Sequence, residues 1–591
     1  MPQPGHKRAA MKLIFDDTGD GLAMAFARPL GTILAETPEK VPPALAAIAT
    51  ARAAGRYVAG YFSYELGYVL EPRLLTRLPQ RRTVPLLWFG IFEPPEKIGD
   101  IRAALESWCE GRAYAGPLAH EWDEAAYRLR FDRVRDLIAA GDFYQVNLTF
   151  RSRFAFAGDP LALYRELRVH SAARYGAYVD DGERQILSLS PELFFDLSAD
   201  GAITARPMKG TATRGADPAA DAQARARLAS SAKDRAENLM IVDLLRNDLG
   251  RIAGIGSVGV SDLFAVETYP TLHQMVSTVT ARLKPGTGET GIVRALFPCG
   301  SITGAPKIRA MEVIAELEQS RRGVYCGAIG YFAPDGSARF NVAIRTLTIS
   351  GARGELGIGG AVVQDSRCDS EYAECLLKAR YYEAARRPLE LIETMRYAPG
   401  EGFVRGDLHL ARMARSAAAF GMAFDPGAAA GVLDKSVARA NADLRVRLTL
   451  SEAGEFACAT APLPPNPAGW SYVISTQRVS PGDALARHKT SWRELYEREH
   501  ANLSPGCDEV VFLNERGEVA EASRTNVFVM RDGKLLTPPL SAGALDGVLR
   551  RALIDEGRCT EATLRLEDLA GEVYLGNSLR GLIRATPAAR A

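Results

Sequence analysis

The stretch DSEYAECLLKARYYEAARRPLELIETMRY constrains the architecture of this chain more than any other. An apolar-periodic helix runs through DSEYAECLLKARYYEAAR and meets Arg387-Pro388, where proline disfavours helical geometry for the residue before it. The chain then restarts, so one long body ends and a second begins at that seam. With 591 residues in all, the first body has room for a large α+β domain and the second for a smaller α/β unit. The expected organisation is an N-terminal part over 11–120, a main part over 121–387 and a C-terminal unit over 388–591.

Within the first body, YVAGYFSYELGYVL and PLLWFGIF read as short apolar strands, whereas Tyr127, Phe131, Val134, Leu137 and Ile138 recur at helical spacing. That pattern predicts a helix over 123–140 that stops at Gly141-Asp142, after which FYQVNLTFR starts a strand. KDRAENLMIVDLLRNDL predicts a helix over 233–249. LFPCGSITGAPKIRAMEVIAELE predicts a glycine loop, a proline in the first helical turn and an amphipathic helix. Beyond the seam, NERGE and RDGK carry hairpin signals. No 20–50-residue repeat and no low-complexity segment occurs.

Lys and Arg total 72 against 71 Asp and Glu, a formal net charge of +1. No global field pulls in nucleic acid or an anionic membrane, so neither is an expected partner. Eight cysteines are scattered without a C-x-x-C pair, which fits a reducing cytosol and excludes a disulfide framework. No apolar run reaches the ~18 residues of a membrane span. MPQPGHKRAAMKLIF lacks a long apolar h-region, and Met11 is a second candidate start, so a cytoplasmic protein is expected.

Asp234 and Glu237 stand at i and i+3 on one predicted helix, and Glu371 and Glu374 do so on another. Taken singly, each pair reads as a solvated face. Converging, four carboxylates would repel one another unless a divalent cation sat among them, and hard oxygen donors suit magnesium. GSITGAPK, opening a helix, offers backbone N–H groups to an anion or else is an ordinary helix cap.

GDFYQVNLTFR, LSLSPELFF, RPMKGTATRG, ENLMIVDLLRNDLGRI, TLHQMVS, GSITGAPKIRAMEVI, CGAIGYF and GGAVVQDS…EYAECLLKA follow one another in an order that resembles the chorismate-utilising enzyme family. The resemblance covers roughly 11–386. It implies chorismate as substrate, Glu237 and Glu374 as direct Mg2+ ligands, and Asp234 and Glu371 beside them holding metal waters. His273, Arg345 and the Gly304-Ala305 backbone match groups around the substrate ring and carboxylates. The lysine of P-x-K-G-T, here Lys209 followed by Thr211, resembles the signature of the family's aminodeoxychorismate-forming branch; anthranilate-forming relatives carry a small apolar residue there. Lys209 is thereby implied as a nucleophile, and Glu192 in SPELFF as the general acid for the departing hydroxyl. No stretch resembles a glutaminase, so ammonia is expected from a separate glutamine amidotransferase subunit.

In the C-terminal unit, Lys489 in LARHKTSWRELYEREH, Glu521 in GEVAEASRTNVFV and the glycine-led helix start in LDGVLRRALI are the parts that pyridoxal phosphate chemistry requires: a lysine for the aldehyde, an acid for the pyridine nitrogen and a phosphate cup. Together they resemble the fold-type IV pyridoxal phosphate enzymes. The resemblance implies that Lys489 and Glu521 take those roles and that Arg412, the Gly547-Val548 backbone and Ser578 grip the phosphate. Fusion to an aminodeoxychorismate-forming region implies a lyase that releases 4-aminobenzoate and pyruvate, and family habit implies a homodimer through this unit. Two other readings stand beside it: an anthranilate-type synthase with an aminotransferase-like unit, and an idle scaffold that docks the glutaminase. Family lyases carry an extra strand before the segment matching LIETMR, and here the preceding helix runs almost directly into it. Either the first body supplies the missing packing or the unit is weakened.

Overall fold

The computed structural model describes residues 12–17, 21–171, 173–269 and 272–588; Met11 lies outside them. Contacts divide the chain into two units. The first is Met1–Ser107, Leu118–Phe154 and Tyr164–Ala385, and the second is Trp108–Pro117, Ala155–Leu163 and Arg386–Ala591.

Two antiparallel sheets build the first unit. One runs, in spatial order, through Gly304–Ala305, Gln145–Gly158, Arg353–Val362, Thr346–Ser350, Gln185–Ser190, Tyr175–Asp180, Lys12–Asp17, Leu22–Ala27 and Glu96–Ile98. The other runs through Met208–Thr213, Leu272–Arg282, Ala202–Arg206, Leu193–Leu197, Ala338–Val342, Ala328–Phe332, Tyr57–Phe62, Leu87–Phe92 and Gly31–Ala35. Leu13, Phe26, Val179 and Ile186 of the first sheet share one buried cluster with Ala59, Tyr61, Trp88 and Ile329 of the second, so the sheets pack face to face as a sandwich. Each of the larger apolar side chains so buried contributes about 1.5–3 kcal/mol. Strands from both sides of residue 120 lie in both sheets, so the division at 120 is not a boundary between units.

The helices carrying the acid pairs form where the sequence directs. Ser231 caps the helix Ala232–Gly250 by accepting from the Asp234 backbone N–H, an acceptor placed where the first turn leaves donors free. Asp123 does the same for Glu124–Ala139, which buries Tyr127, Phe131, Val134 and Leu137 and ends before Gly141 at φ +82°. Ile138 is only half-buried. GSITGAPK departs from expectation. Gly300–Ile302 is a 3-10 turn, Gly304–Ala305 is a short strand beside Gln145-Val146, and Pro306 precedes the helix Lys307–Leu317 as its N-cap instead of occupying its first turn. Gly304 is obligatory there: its φ is +143°, and a Cβ would fall 2.3 Å from the Gln145 carbonyl oxygen.

In the second unit, the sheet Gly402–Phe403, Leu391–Ala398, Leu444–Leu450 and Phe456–Pro462 buries one face against the helices Gly406–Ala419 and Pro426–Val437. An eight-stranded mixed sheet completes it, with Glu509–Asn514 hairpinned to Val519–Ala522 and Asn526–Arg531 to Lys534–Thr537. The second turn places Asp532 and Gly533 at φ +51° and +73°, as the RDGK signal requires. Ala113–Ala115 pairs with Phe156–Gly158, and Tyr114, 1% exposed, joins the same core as Met413, Leu433 and Leu448. Residues earlier in the chain than 160 thus contribute to the core of this unit. Among the described residues, no helix is long and apolar enough to cross a membrane.

Candidate active sites

In the first unit, Lys209 lies on the strand Met208–Thr213, Glu237 on the helix Ala232–Gly250, and Glu374 on the helix Cys368–Leu377. Burial pushes the half-buried Lys209 amine below its ordinary range; the neighbouring Lys378 pushes the same way, while Glu237, Glu192 and Glu374 oppose it. Glu192 is 3% exposed, and burial raises its carboxyl to about 7 even though Ser301 Oγ donates to it at 2.7 Å. A carboxyl raised by burial and an amine lowered by it thus act on one another in the same cluster.

Burial also raises Glu237 and Glu371, the latter against a 2.7 Å hydrogen bond from Ser366 Oγ. Lys378 Nζ sits 2.8 Å from Glu374 Oε1 and holds that carboxyl below its usual range. Lys233 Nζ stands 3.8 Å from Glu237 Oε1. Asp234 packs against Gly210, where a Cβ would fall 2.8 Å from the Asp234 Cβ. Among the described residues, no three acidic, histidine or cysteine side chains are gathered closely enough to enclose a metal ion. The donors are hard oxygens on two helices, two of them left proton-hungry by burial, and that chemistry fits Mg2+.

His273 is buried with both ring nitrogens engaged, Nε2 3.0 Å from Asp221 Oδ1 and Nδ1 3.0 Å from Thr268 Oγ1. Arg214 Nε donates to that same Asp221 oxygen at 2.7 Å and holds the carboxyl well below the carboxylate range. Arg345, in a left-handed conformation at φ +49°, donates at 3.4 Å to the Ser171 carbonyl. Thr211 Oγ1 donates to Gln274 Oε1 at 3.1 Å, and the Ala305 carbonyl accepts from Tyr144 N–H.

In the second unit, Lys489, Glu521, Arg412, Gly547, Val548 and Ser578 all line one cavity of about 570 Å3. Burial first, then the Arg412 guanidinium, lower the Lys489 amine to about 7, and Nζ donates to Thr394 Oγ1 at 3.1 Å. Glu521 is buried, accepts from Leu545 N–H at 2.9 Å, and is raised by that burial. Arg412 is gripped from behind: Nε and Nη2 donate to Glu393 at 2.8 and 2.6 Å, and Nη1 donates to the Asp546 carbonyl at 3.0 Å. His409 Nδ1 meets Glu393 at 2.6 Å; against burial, Arg412 and His409 hold this carboxyl down at about 2.

Pyridoxal phosphate fits this cavity. Ser578 Oγ and Thr525 Oγ1 are buried without a partner, and both line the cavity beside the start of the eight-residue helix Val548–Asp555. Two orphan hydroxyls at a helix N-terminus are what a phosphate dianion satisfies. Gly547 packs so tightly on Asn526 that a Cβ there would fall 1.8 Å from Asn526 Oδ1.

Sequence reasoning left Lys378, Ser301, Asp221, Thr394, Glu393, His409 and Thr525 unassigned. Ser301, Lys378 and Thr394 stand inside stretches already singled out. Period-two alternation along LIETMR puts Thr394 on the face opposite Leu391 and Met395, which are buried in the core, but that this face meets Lys489 follows only from the folded strand pairing.

A two-sheet domain with a lysine–carboxylate cluster is thus followed in sequence by a unit whose cavity is lined by a lysine and two orphan hydroxyls. The chain belongs to the chorismate binding enzyme family, which it matches over residues 11–383; residues 390–587 match the amino-transferase class IV family. It is 50% identical over 261 residues to an aminodeoxychorismate synthase of Streptomyces pristinaespiralis, covering 44% of this chain and 36% of that protein. It is 44% identical over 299 residues to aminodeoxychorismate synthase component 1 of Klebsiella aerogenes, covering 50% of this chain and 65% of the relative. The chain thus spans less than two thirds of the length of these curated relatives. Among solved structures, anthranilate synthase component I from Streptococcus pneumoniae superposes with a TM-score of 0.52 at 25% identity, covering 64% of this chain and 93% of the other.

Proposed function

We propose that the chain makes 4-aminobenzoate from chorismate in two steps, amination to 4-amino-4-deoxychorismate in the first unit and loss of pyruvate in the second. The observation that carries this reading is Lys209, half-buried among Glu192, Glu237 and Glu374 with its amine pushed below its ordinary range, while burial raises the Glu192 carboxyl to about 7. Lys209 Nζ adds to ring carbon 2 as the 4-hydroxyl leaves with the Glu192 proton, giving water. Ammonia then adds at carbon 4, the ring double bond shifts back, and the lysine amine leaves. Two allylic additions return the substituent to the position it left. Ammonia and chorismate give aminodeoxychorismate and water, with no redox change. Glu237 and Glu374 would hold Mg2+, with Asp234 and Glu371 beside them, and the ion would supply positive charge for the substrate carboxylates.

In the second unit, pyridoxal phosphate would supply an electron sink for the carbon bearing the amine. Lys489 would bind its aldehyde, Glu521 its pyridine nitrogen, and Ser578, Thr525 and the Gly547-Val548 backbone its phosphate. Once the substrate amine displaces it from the aldehyde carbon, Lys489, held by Thr394, would be free to take the proton from ring carbon 4. The bond from ring carbon 3 to the enolpyruvyl oxygen breaks as the ring becomes aromatic, and the departing enolpyruvate gains a proton to become pyruvate. The substrate is a dicarboxylate, and the cavity suits one. Arg447 stands across the strand pair from Thr394, two residues along from Arg445 on the same strand face. Ammonia comes from a separate glutamine amidotransferase, and the second unit pairs with its copy in a homodimer.

The test is to incubate the purified chain with chorismate, Mg2+, an ammonium salt and pyridoxal phosphate, and to identify the aromatic amine by chromatography. The expected result is 4-aminobenzoate, abolished by Lys209→Ala and replaced by aminodeoxychorismate in Lys489→Ala. Appearance of 2-aminobenzoate would sink the Lys209 assignment; accumulation of aminodeoxychorismate by the parent would sink the lyase step.

A further inference from the structure

Lys489 sits near the middle of a loop that starts at Asp483, passes through the 3-10 turn Ala484–Arg487 and ends at Trp492. Within the second unit, one side chain touches both ends of that loop. Arg112 Nε donates to Asp483 Oδ2 at 2.8 Å, and its Nη1 donates to the Trp492 carbonyl at 2.9 Å. The planar guanidinium fixes the separation of the two ends, which a flexible ammonium contacting one group at a time does not do.

The surroundings reinforce this clasp. Ser480 Oγ donates to the Glu110 carbonyl at 2.9 Å, and Gly111 passes so close to Asp483 that a Cβ on it would fall 2.9 Å from the Asp483 Cα. Tyr114 stacks edge-on to Phe420 at 5.0 Å and lies 6.2 Å from Trp492, while Phe420 packs against His488 at 4.9 Å. Trp492 Nε1 donates to the Pro388 carbonyl at 3.0 Å, so the far end of the loop is also tied to the start of the C-terminal region.

We propose that Arg112, although it lies inside the stretch matched by the chorismate binding family, is a positioning residue for Lys489 of the second unit, clasping both ends of the loop that presents this amine to the cavity. The inference rests on the reading of Lys489 as the cofactor lysine. The amine is faced by Arg412 and His409 from the helix Gly406–Ala419, by Glu393 and Thr394 from the strand Leu391–Ala398, by Arg447 from Leu444–Leu450 and by Arg493 beyond the loop. The Lys489 carbonyl itself accepts from Ile392 N–H at 2.9 Å and Ser491 N–H donates to the Glu390 carbonyl at 2.8 Å, so the backbone at Lys489 stays on the strand when Arg112 is lost. What loosens is the Asp483–His488 approach and the Trp492 end, which admits water to an amine whose neutrality depends chiefly on burial.

The experiment compares Arg112→Ala, Arg112→Lys and Asp483→Asn with the parent in the full chain. Pyridoxal phosphate affinity is read from the absorbance of the lysine-bound cofactor, and the pH midpoint of lysine attachment is followed as well. Expected are an affinity about tenfold lower in Arg112→Ala, the order of one charged hydrogen bond lost, and an upward move of the midpoint by at least half a pH unit. Arg112→Lys and Asp483→Asn should fall between parent and Arg112→Ala. Ammonia-dependent conversion of chorismate should be unchanged in all three, which shows that the chain is folded. Parent affinity and parent midpoint in Arg112→Ala would overturn the proposal, as would loss of chorismate conversion in all three variants, which would mark Arg112 as a folding residue. A lysine-bound absorbance persisting in Lys489→Ala would instead overturn the reading of Lys489 and leave the Arg112 comparison to report on another lysine.

Discussion

Lys489 shows how far placement alone moves a single amine. Its ordinary value of 10.5 would leave almost no free base at neutrality; burial and Arg412 bring it to about 7. Below pH 7 the amine is protonated and cannot attack an aldehyde, and above it the free base predominates. Attachment of pyridoxal phosphate should therefore rise through a midpoint near pH 7 and level off by about pH 8, measured by absorbance in stopped-flow mixing. A midpoint near 10 would contradict the burial argument. The linked effect on stability has the same sign: between about 7 and 10.5 the unfolded chain binds a proton that the folded one has released, so this group's contribution rises with pH across that window. The lysine itself was legible in the sequence through its company with Glu521 and a glycine-led helix start. The groups that tune it were not, because Glu393, Thr394 and Arg447 reach it only once strands Leu391–Ala398 and Leu444–Leu450 are paired in register.

At the scale of elements, local rules carried the helices and hairpins and failed at GSITGAPK. Ser231, Asp123 and the Asp532-Gly533 turn behave as their residue types dictate, since capping and positive φ are decided within a few residues. Gly304-Ala305 is claimed instead by a distant partner, the strand at Gln145-Val146, so a segment that reads as an anion loop becomes a strand. Gly304→Ala should destabilise the first unit by about 1–3 kcal/mol from backbone strain alone, with a further penalty from the overlap with the Gln145 carbonyl. A denaturant midpoint equal to the parent's would show that this turn relaxes freely. Lys378 belongs to the same lesson: four carboxylates on two helices read as a metal site, yet the fold also brings a lysine to 2.8 Å from Glu374.

For the whole molecule, the family boundary and the structural boundary are different things. The matches meet between 383 and 390, but the second unit also takes in Trp108–Pro117 and Ala155–Leu163. No local pattern announces this, since Tyr114 looks like any strand aromatic until Phe420 and Trp492 close over it. A fragment starting at Pro388 should therefore be deficient: loss of Tyr114 alone, a fully buried aromatic, costs about 3 kcal/mol or more. Such a fragment is expected to bind a hydrophobic dye and to unfold at markedly lower denaturant than the same unit in the full chain. Equal midpoints in fragment and full chain would show that the excursions add nothing.

The excursions also impose an order on synthesis. Tyr114 leaves the ribosome about 380 residues before Trp492, which at roughly 5–20 residues per second is a delay on the order of 20–80 s. Through most of that interval the strand Ala113–Ala115 and its aromatic side chain lack their C-terminal partners, which arrive in turn with Phe420 and last with Trp492. The second unit is the last to be translated and yet cannot be assembled from the last-translated residues alone, so the nascent chain must keep an early segment available until its late partners emerge.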